Sequence, residues 1–562
     1  MKFQLPINLA VICFVIIQTA GNLQSQDVGN LKTQKPFEIH GNLSLNLQPY
    51  ASFGIPARQQ PFAFVVSANI APQLYGLELP FSFSYSNRQT NYSQPFNRFG
   101  ISPHYKWITV HAGYRSLTFS NYTLAGHSFL GGGIELNPGK FRFGLIGGRF
   151  NKNTSPDSSD KTDSLPEFKR NGVAIKLGVG GNKTFVDLLL LSVKDENKSI
   201  IANRTYPARR PEENLIAGFN SRITFSERLV FEGEIAASVH TSDQFAQGFP
   251  DIDSNLIKKS ERIIHINQSS RLYTAGRASL VFKAKTFSLK AEYRHIDPNY
   301  TSFGAYYMST DIQNVSFGPS FSLFKKKLLL RGSLGLQNDN LRNTKKATTN
   351  RTVGSANISW NPSQAFGVDG SYSNFCTDQK AGRLPLVDTS KIFQSNLNIS
   401  VSPRYTIQKT SSSQMISLIF NHTNLNDRNP KTEELTENQV NTANLNYTVT
   451  LIKQKITLNT GINYMNLSNH SGDNMAMGIS AGIMGMMAKD LLSVGWSNSF
   501  LTTEYTGNKG KVITSQITVT YRLKKNHQFR VGAYFTGNYY EEGASVPSFN
   551  ELKGDFSYVF SF

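Results

Sequence analysis

From residue 37 onward, apolar and polar side chains take turns along segments of about ten residues. Leu77, Leu79, Phe81, Phe83 and Tyr85 are separated by Glu78, Pro80, Ser82 and Ser84. Phe287, Leu289, Ala291 and Tyr293 alternate with Ser288, Lys290, Glu292 and Arg294. Near the end, Phe529, Val531, Ala533 and Phe535 alternate with Arg530, Gly532 and Tyr534. A period of two marks a strand with two chemically different faces, and helical periodicity is nearly absent.

A soluble sandwich also alternates, so the connections decide. One kind is short and often basic, as at Asn137 to Lys140, Gly180 to Lys183, Lys325 to Lys327, Ile452 to Lys455, Ala488 to Asp490 and Lys524 to His527. The other kind is long and polar, at 151–170, 196–213, 242–270, 338–350, 377–390 and 426–436. Short turns alternating with long loops are the rhythm of a transmembrane β-barrel, with tight periplasmic turns on one rim and extended loops on the other. Lipid offers no hydrogen-bond partners, so strands cross it only in a sheet without edges. The expected fold is therefore all-β: a single closed antiparallel transmembrane barrel of 24 to 26 strands, with 26 if the weak 116–122 segment counts. An even number keeps both termini periplasmic.

Composition changes the picture in three ways. The 562 residues include 39 Phe and 23 Tyr but only 17% charged side chains, too aromatic and too uncharged for a disordered chain. Lys and Arg outnumber Asp and Glu by 58 to 38, a net charge of +20, which alone would suggest a polyanion such as nucleic acid. The first 26 residues oppose that partner: Lys2, the apolar stretch Leu9 to Ile17, then Thr19-Ala20-Gly21 and Leu23 to Gln26 read as a secretory signal peptide. Cleavage after Ala20 and after Gln26 both fit. The chain thus divides into a signal peptide at 1–26, a short periplasmic segment at 27–36 and a barrel at 37–562. Cys13 lacks the small preceding residues of a lipid-attachment site, which leaves Cys376 as the mature chain's single thiol and no internal disulfide.

The chain ends Phe556-Ser557-Tyr558-Val559-Phe560-Ser561-Phe562. Aromatics alternating up to a terminal Phe resemble the closing strand of bacterial outer-membrane β-barrel proteins, and the Asn/Ser/Thr-rich, Phe/Tyr-rich style is similar to large porin-like barrels of the Bacteroidota. The resemblance implies an outer-membrane location and surrounding lipid. It also implies that Tyr558, Phe560 and Phe562 form a signal read by the barrel-assembly machinery. Trp107, Tyr405, Tyr447, Tyr464 and Tyr539 are candidates for the headgroup-level aromatic belt.

A barrel this wide needs something to narrow it. Energised transporters of this type carry a plug of roughly a hundred residues before the first strand, and about ten residues stand there here. Inward-folded loops, lumen side chains or another protein must serve instead. The loop candidates are 242–270, with Phe245 to Pro250 and Ile263-Ile264, and the Gly-rich run Gly126 to Gly133. Each has a plainer alternative, a surface loop for the first and a strand of close backbone approach for the second. If the greasy rows face lipid, Arg142, Lys176, Arg222, Arg271, Arg277, Lys290, Arg294, Arg331, Arg404, Arg522, Arg530 and Lys553 face the lumen, against Glu232, Glu234, Glu292, Glu551 and Asp555. Such a lining either focuses field on anions or pairs across neighbouring strands as a solvated wall. The Met-rich strand 474–487 presents Ala476, Gly478, Ser480 and Gly482 on one face, a smooth strip for a lumen.

Catalytic signals are thin. Gly478 to Gly482 matches G-x-S-x-G but sits inside an alternating strand instead of a strand-to-helix turn. His111 and His422 lie on strands with no Ser at an evident spacing, and the ten histidines show no metal-binding cluster. No enzyme, metal or cofactor is expected. The expected function is passage of solute or polymer through a constricted, net-basic lumen. The rival is a closed barrel that serves as assembly or plugging partner of a secretion or surface-display apparatus, and an outer-membrane hydrolase comes third.

Overall fold

The computed structural model describes residues 36–74, 77–78, 81–87, 100–153, 167–199, 210–249, 264–383, 391–505, 507–524, 526–544 and 547–562. The signal peptide and nearly all of the 27–36 segment lie outside the described residues. Among the described residues the alternation becomes 28 antiparallel strand segments in one sheet, with one four-residue helix at Glu433–Thr436. Nearly every strand pairs with its sequence neighbours. The first, Phe37–Phe53, pairs both with Phe62–Leu74 and with the last, Phe549–Ser561, placing Leu45 opposite Tyr558 and Tyr50 opposite Lys553.

Two pairs of short segments behave as interrupted single rows. Leu77–Glu78 and Phe81–Ser86 both pair with Phe62–Leu74, while Gly100–Ile101 and His104–Tyr105 both pair with Ile108–Thr118. Pro103 separates the second pair, where it can donate no ladder hydrogen bond. Several strands outrun the ten-residue segments, notably Ala347–Trp360, Phe366–Ala381, Phe393–Gln408 and Ser412–Asp427, so the connections at 338–350 and 377–390 are shorter than their sequence suggests.

The register carries one face continuously round the sheet. On that face Leu177, Leu188, Phe219, Ile235, Leu280, Tyr293, Phe317 and Leu334 all stand exposed. Tyr405, Tyr447, Tyr464 and Tyr539 lie exposed on it too, while Trp107 sits in the turn before Ile108–Thr118. The other face carries a dry core of Phe129, Ile146, Ala174, Leu191, Ile216, Ala236 and Ile296. We call it the inner face.

What covers this core was not foreseen. The 116–122 segment is not a separate strand: Ile108–Thr118 ends there, and Phe119 to Leu124 turn inward. Leu117 and Phe119 supply strand-like alternation, but Phe119, Tyr122 and Leu124 are buried together against the inner wall, which a flat strand could not achieve. A second inward segment joins Phe287–Ile296 to Ile312–Leu323. Its Tyr300 and Phe303 complete the core. Of the two candidates expected from sequence, Gly126 to Gly133 belongs to the strand Ala125–Leu136, where a Cβ on Gly131 would lie 2.1 Å from the Gly147 carbonyl oxygen. The described part of 242–270 divides: Phe245 is exposed and the Gln244 amide donates to the carbonyls of Asp195 and Glu212, whereas Ile264 is buried, though outside the dry core. Pro250 and Ile263 lie outside the described residues.

Candidate functional site

The inward segments form a strap and a clasp. The strap, 297–311, leaves the top of Phe287–Ile296 and reaches the top of Ala125–Leu136, seven strands away along the sheet, where the Ala125 N–H donates to the Gly304 carbonyl at 2.8 Å. The His127 and Tyr306 rings stack there, 4.2 Å between centroids. The clasp, 119–124, lies beneath it. Tyr300 donates its hydroxyl to the Tyr122 carbonyl at 2.6 Å, and Ser302 donates to the Thr123 carbonyl at 2.6 Å. Gly304 is required at this crossing, since a Cβ would stand 2.5 Å from the Thr123 oxygen.

Buried polar side chains of the wall satisfy the segments' main chain, as a dry core demands. Asn214 accepts from the Phe303 N–H at 3.1 Å and donates to Ser238 at 2.8 Å, and Ser238 donates to the Thr301 carbonyl at 2.8 Å. Glu234 accepts from the Tyr122 N–H and from the Asn121 amide. Burial and the neighbouring Glu234 charge push the Tyr122 hydroxyl up to about 12, against the opposing pull of Arg294 and Arg277. The Arg170 guanidinium lies 3.5 Å from the Phe303 ring centroid while it pairs with Asp195 at 2.7 Å.

All twelve cations expected in the lumen share the inner face by register. Seven of them are ion-paired. Arg142 meets Asp187 and Lys176 meets Glu135, each at 2.7 Å, and Lys290 meets Glu292 at 2.8 Å. Arg222 and Arg277 share Glu232 at 3.4 and 3.5 Å, Arg404 meets Asp369, and Arg530 approaches Asp555 at 4.0 Å. Arg271 donates to the carbonyls of Gln268 and Ser270. Arg294 has a buried Nε without a hydrogen-bond partner among the described residues, and Arg331, Arg522 and Lys553 make no ion pair there. The acids Glu135, Asp187 and Asp369 escaped the sequence reading. Glu135 reaches Lys176 across Gly144 of the intervening strand, Asp187 reaches Arg142 across Gly178, and Asp369 lies diagonal to Arg404 on the adjacent strand.

The histidines divide. His422 lies on the exposed apolar face against Asn441 at 2.8 Å. His111, buried on the inner face, has Ser102 Oγ 2.7 Å from Nδ1 and Glu135 3.4 Å from Nε2, a line that sequence spacing concealed. Arg115 donates to the same Ser102 oxygen, and Lys176 holds Glu135, so the row reads as part of the charged wall. Gly478 to Gly482 sits within the strand Gly472–Met487, away from any helix, and no cluster of metal-ligating side chains occurs among the described residues.

At the seam the last residues are held tightly. Gly41 and Phe562 exchange main-chain hydrogen bonds of 2.8 and 3.0 Å. The Phe560 ring stacks on His527 at 4.6 Å, and the Tyr558 ring on Phe529 at 4.8 Å.

No family model matches the chain, and no curated protein matches it. Among solved structures, the P pilus usher (PapC) translocation pore is 9% identical, covering 93% of this chain and 99% of its own with a TM-score of 0.41. Acinetobacter baumannii OccAB2 is 12% identical, covering 68% and 98%, with a TM-score of 0.31. Pseudomonas aeruginosa OpdK with vanillate is 10% identical over 63% and 93%, with a TM-score of 0.31. Likeness of this degree carries no weight for what this chain does.

Proposed function

We propose that the chain is an outer-membrane β-barrel channel, a closed ring of 26 rows that passes solute or polymer through a lumen narrowed from one side. The pairing of the first strand with the last supports closure, and counting each interrupted row once gives the even number. Rows spaced about 4.8 Å apart and tilted about 40° make a ring roughly 50 Å across. The exposed apolar face then meets lipid, and the inner face lines the lumen. The ends of the chain and the short turns share one rim, the periplasmic one, while the strap and clasp hang from the other.

One observation carries the reading: among the described residues, the dry core covers the inner face only between Ile108 and Ile296. Elsewhere on that face Met484 and Met486 remain 48% and 45% exposed, and Met465 41%. Two short segments cannot fill a ring of that size, so they narrow it and leave a passage. The inner face retains a surplus of base in Arg271, Arg294, Arg331, Arg522 and Lys553 after pairing, which gives the lumen a modest positive bias. No chemistry, metal or cofactor enters the mechanism. Tyr558, Phe560 and Phe562 serve as the assembly signal. Planar-bilayer recording of the refolded mature chain tests the channel: stable unitary currents support it. Silence from a correctly folded barrel transfers the case to a closed partner of a secretion or display apparatus.

A further inference from the structure

Resting on the channel reading, we propose that the open side of the lumen is a charge-free track for neutral, hydroxyl-bearing solutes, so that flux along it discriminates little between ions. The inner face of six consecutive strands, from Ser412–Asp427 to Asn508–Leu523, carries charge only at its two rims, Asp427 and Arg522. Between them stand Ser417, Asn421, Asn444, Asn463, Ser480 and Thr518 with Ser, Thr, Asn, Gly and Met neighbours, interspersed with the uncharged apolar side chains of Ile419, Val440, Leu467, Leu501 and Val512. Charged residues return on the strands to either side of this stretch and are plentiful beside or beneath the strap and clasp, at Arg142, Asp187, Glu232, Glu234, Arg277 and Arg294. Thus the covered side is charged, and on the open side an uncharged stretch of six strands lies between flanks that carry Arg331, Asp369 and Arg404 on one hand and Arg530, Lys553 and Asp555 on the other.

Width turns this segregation into a selectivity. Six rows at about 4.8 Å spread roughly 24 Å between the first and the last. The Debye length at physiological salt is about 8 Å, so the middle of the track is screened from the flanking charges. An ion there meets no focused field, and an uncharged solute pays no penalty against one. The polar groups also satisfy one another: Asn421 donates to Thr442 at 3.0 Å, Ser499 and Thr514 lie 2.7 Å apart, and Thr450 and Thr457 lie 3.1 Å apart. A wall of amides and hydroxyls so arranged offers hydroxylated solutes exchangeable donors and acceptors without a charged trap.

The experiment combines reversal potentials under a KCl gradient with liposome swelling in neutral oligosaccharides, anionic sugars and cationic amino sugars of matched size. Expected are a permeability ratio of K⁺ to Cl⁻ within about twofold of unity and fastest swelling in the neutral series. Asn444→Asp combined with Asn463→Asp and Thr518→Asp should move the ratio several-fold toward cations, and heat-modifiable gel mobility will verify that the variant is folded. Arg222→Gln, beside the covered side, should move it little. A conducting barrel with strong anion preference that the three aspartates leave unchanged would overturn the neutral track and spare the channel. Absence of conductance from the folded wild type would overturn the channel and the track with it.

Discussion

Glu234, on the inner face of Leu229–Thr241, accepts the main-chain N–H of Tyr122 at 3.1 Å across 112 residues of sequence. The wall therefore holds the clasp through a charge-assisted bond whose acceptor is itself 5% exposed. In Glu234→Ala the Tyr122 N–H and the Asn121 amide both lose their acceptor, at a local cost of about 2–3 kcal/mol. The clasp should loosen while the ring persists. Hydrogen exchange at 119–124 is expected to accelerate and open-channel current noise to rise. Unchanged exchange would mean that the apolar side chains alone hold the segment.

Gly304 tests the strap separately. With the Thr123 oxygen 2.5 Å from where a Cβ would stand, Gly304→Val cannot keep the crossing and should lift the strap from the clasp. Tyr300 and Phe303 would leave a core in which each buried aromatic contributes on the order of 1.5–3 kcal/mol. Unitary conductance should increase with no loss of heat-modifiable mobility. An equal conductance would show that the strap lies outside the limiting cross-section.

Most of the sheet was legible from sequence because its rule is local: a two-faced strand writes period two into its own residues, and Gly472–Met487 shows its Ala476, Gly478, Ser480 and Gly482 strip on the inner face as the pattern implied. The strap and clasp were not legible, because a loop folded onto a wall owes its apolar residues to partners far along the chain. Phe119 passed for a strand position, and Tyr300, Phe303, Tyr306 and Tyr307 lay in a connection not singled out among the long loops. Four aromatics in one rim loop, where polar residues dominate elsewhere, were the trace available. The ion pairs failed for a different reason: Asp187 meets Arg142 across two strands whose register sequence alone leaves open.

Acid should release the strap. Asp297 at its start is partly buried, which by itself raises its carboxyl, yet the N–H and hydroxyl of Thr274, with His295 and Arg342, hold it below its ordinary 3.8. Asp311 at its end is likewise held below 3.8 despite burial, by Lys345 and the N–H groups of Leu341 and Asn340. Depressed carboxyls stabilise the fold fully above the unfolded value and lose that contribution as pH falls through the lower folded values. A spin label on Tyr307→Cys in a Cys376→Ser background should stay constrained from pH 7 to 5 and gain mobility below 3.8. Mobility that stays constrained below 3.8 would show that the two carboxyls do not hold the strap.

The terminal residue offers a prediction about assembly. Phe562 exchanges two main-chain hydrogen bonds with Gly41, and its ring lies 5.3 Å from that of Phe560, which in turn stacks on His527. These contacts lie between the first and last strands, so they form only when those two strands meet. Phe562→Ala keeps the main-chain pair and removes the ring, whereas deletion of Phe562 removes both. If the aromatic is the feature that the assembly machinery reads, both variants should lower the folded, membrane-inserted fraction in cells by a similar several-fold margin. In detergent refolding without that machinery, Phe562→Ala should close nearly as well as wild type and the deletion less well. Equal losses in cells and in detergent for Phe562→Ala would assign the ring a packing role at the seam and leave the signal to Tyr558 and Phe560.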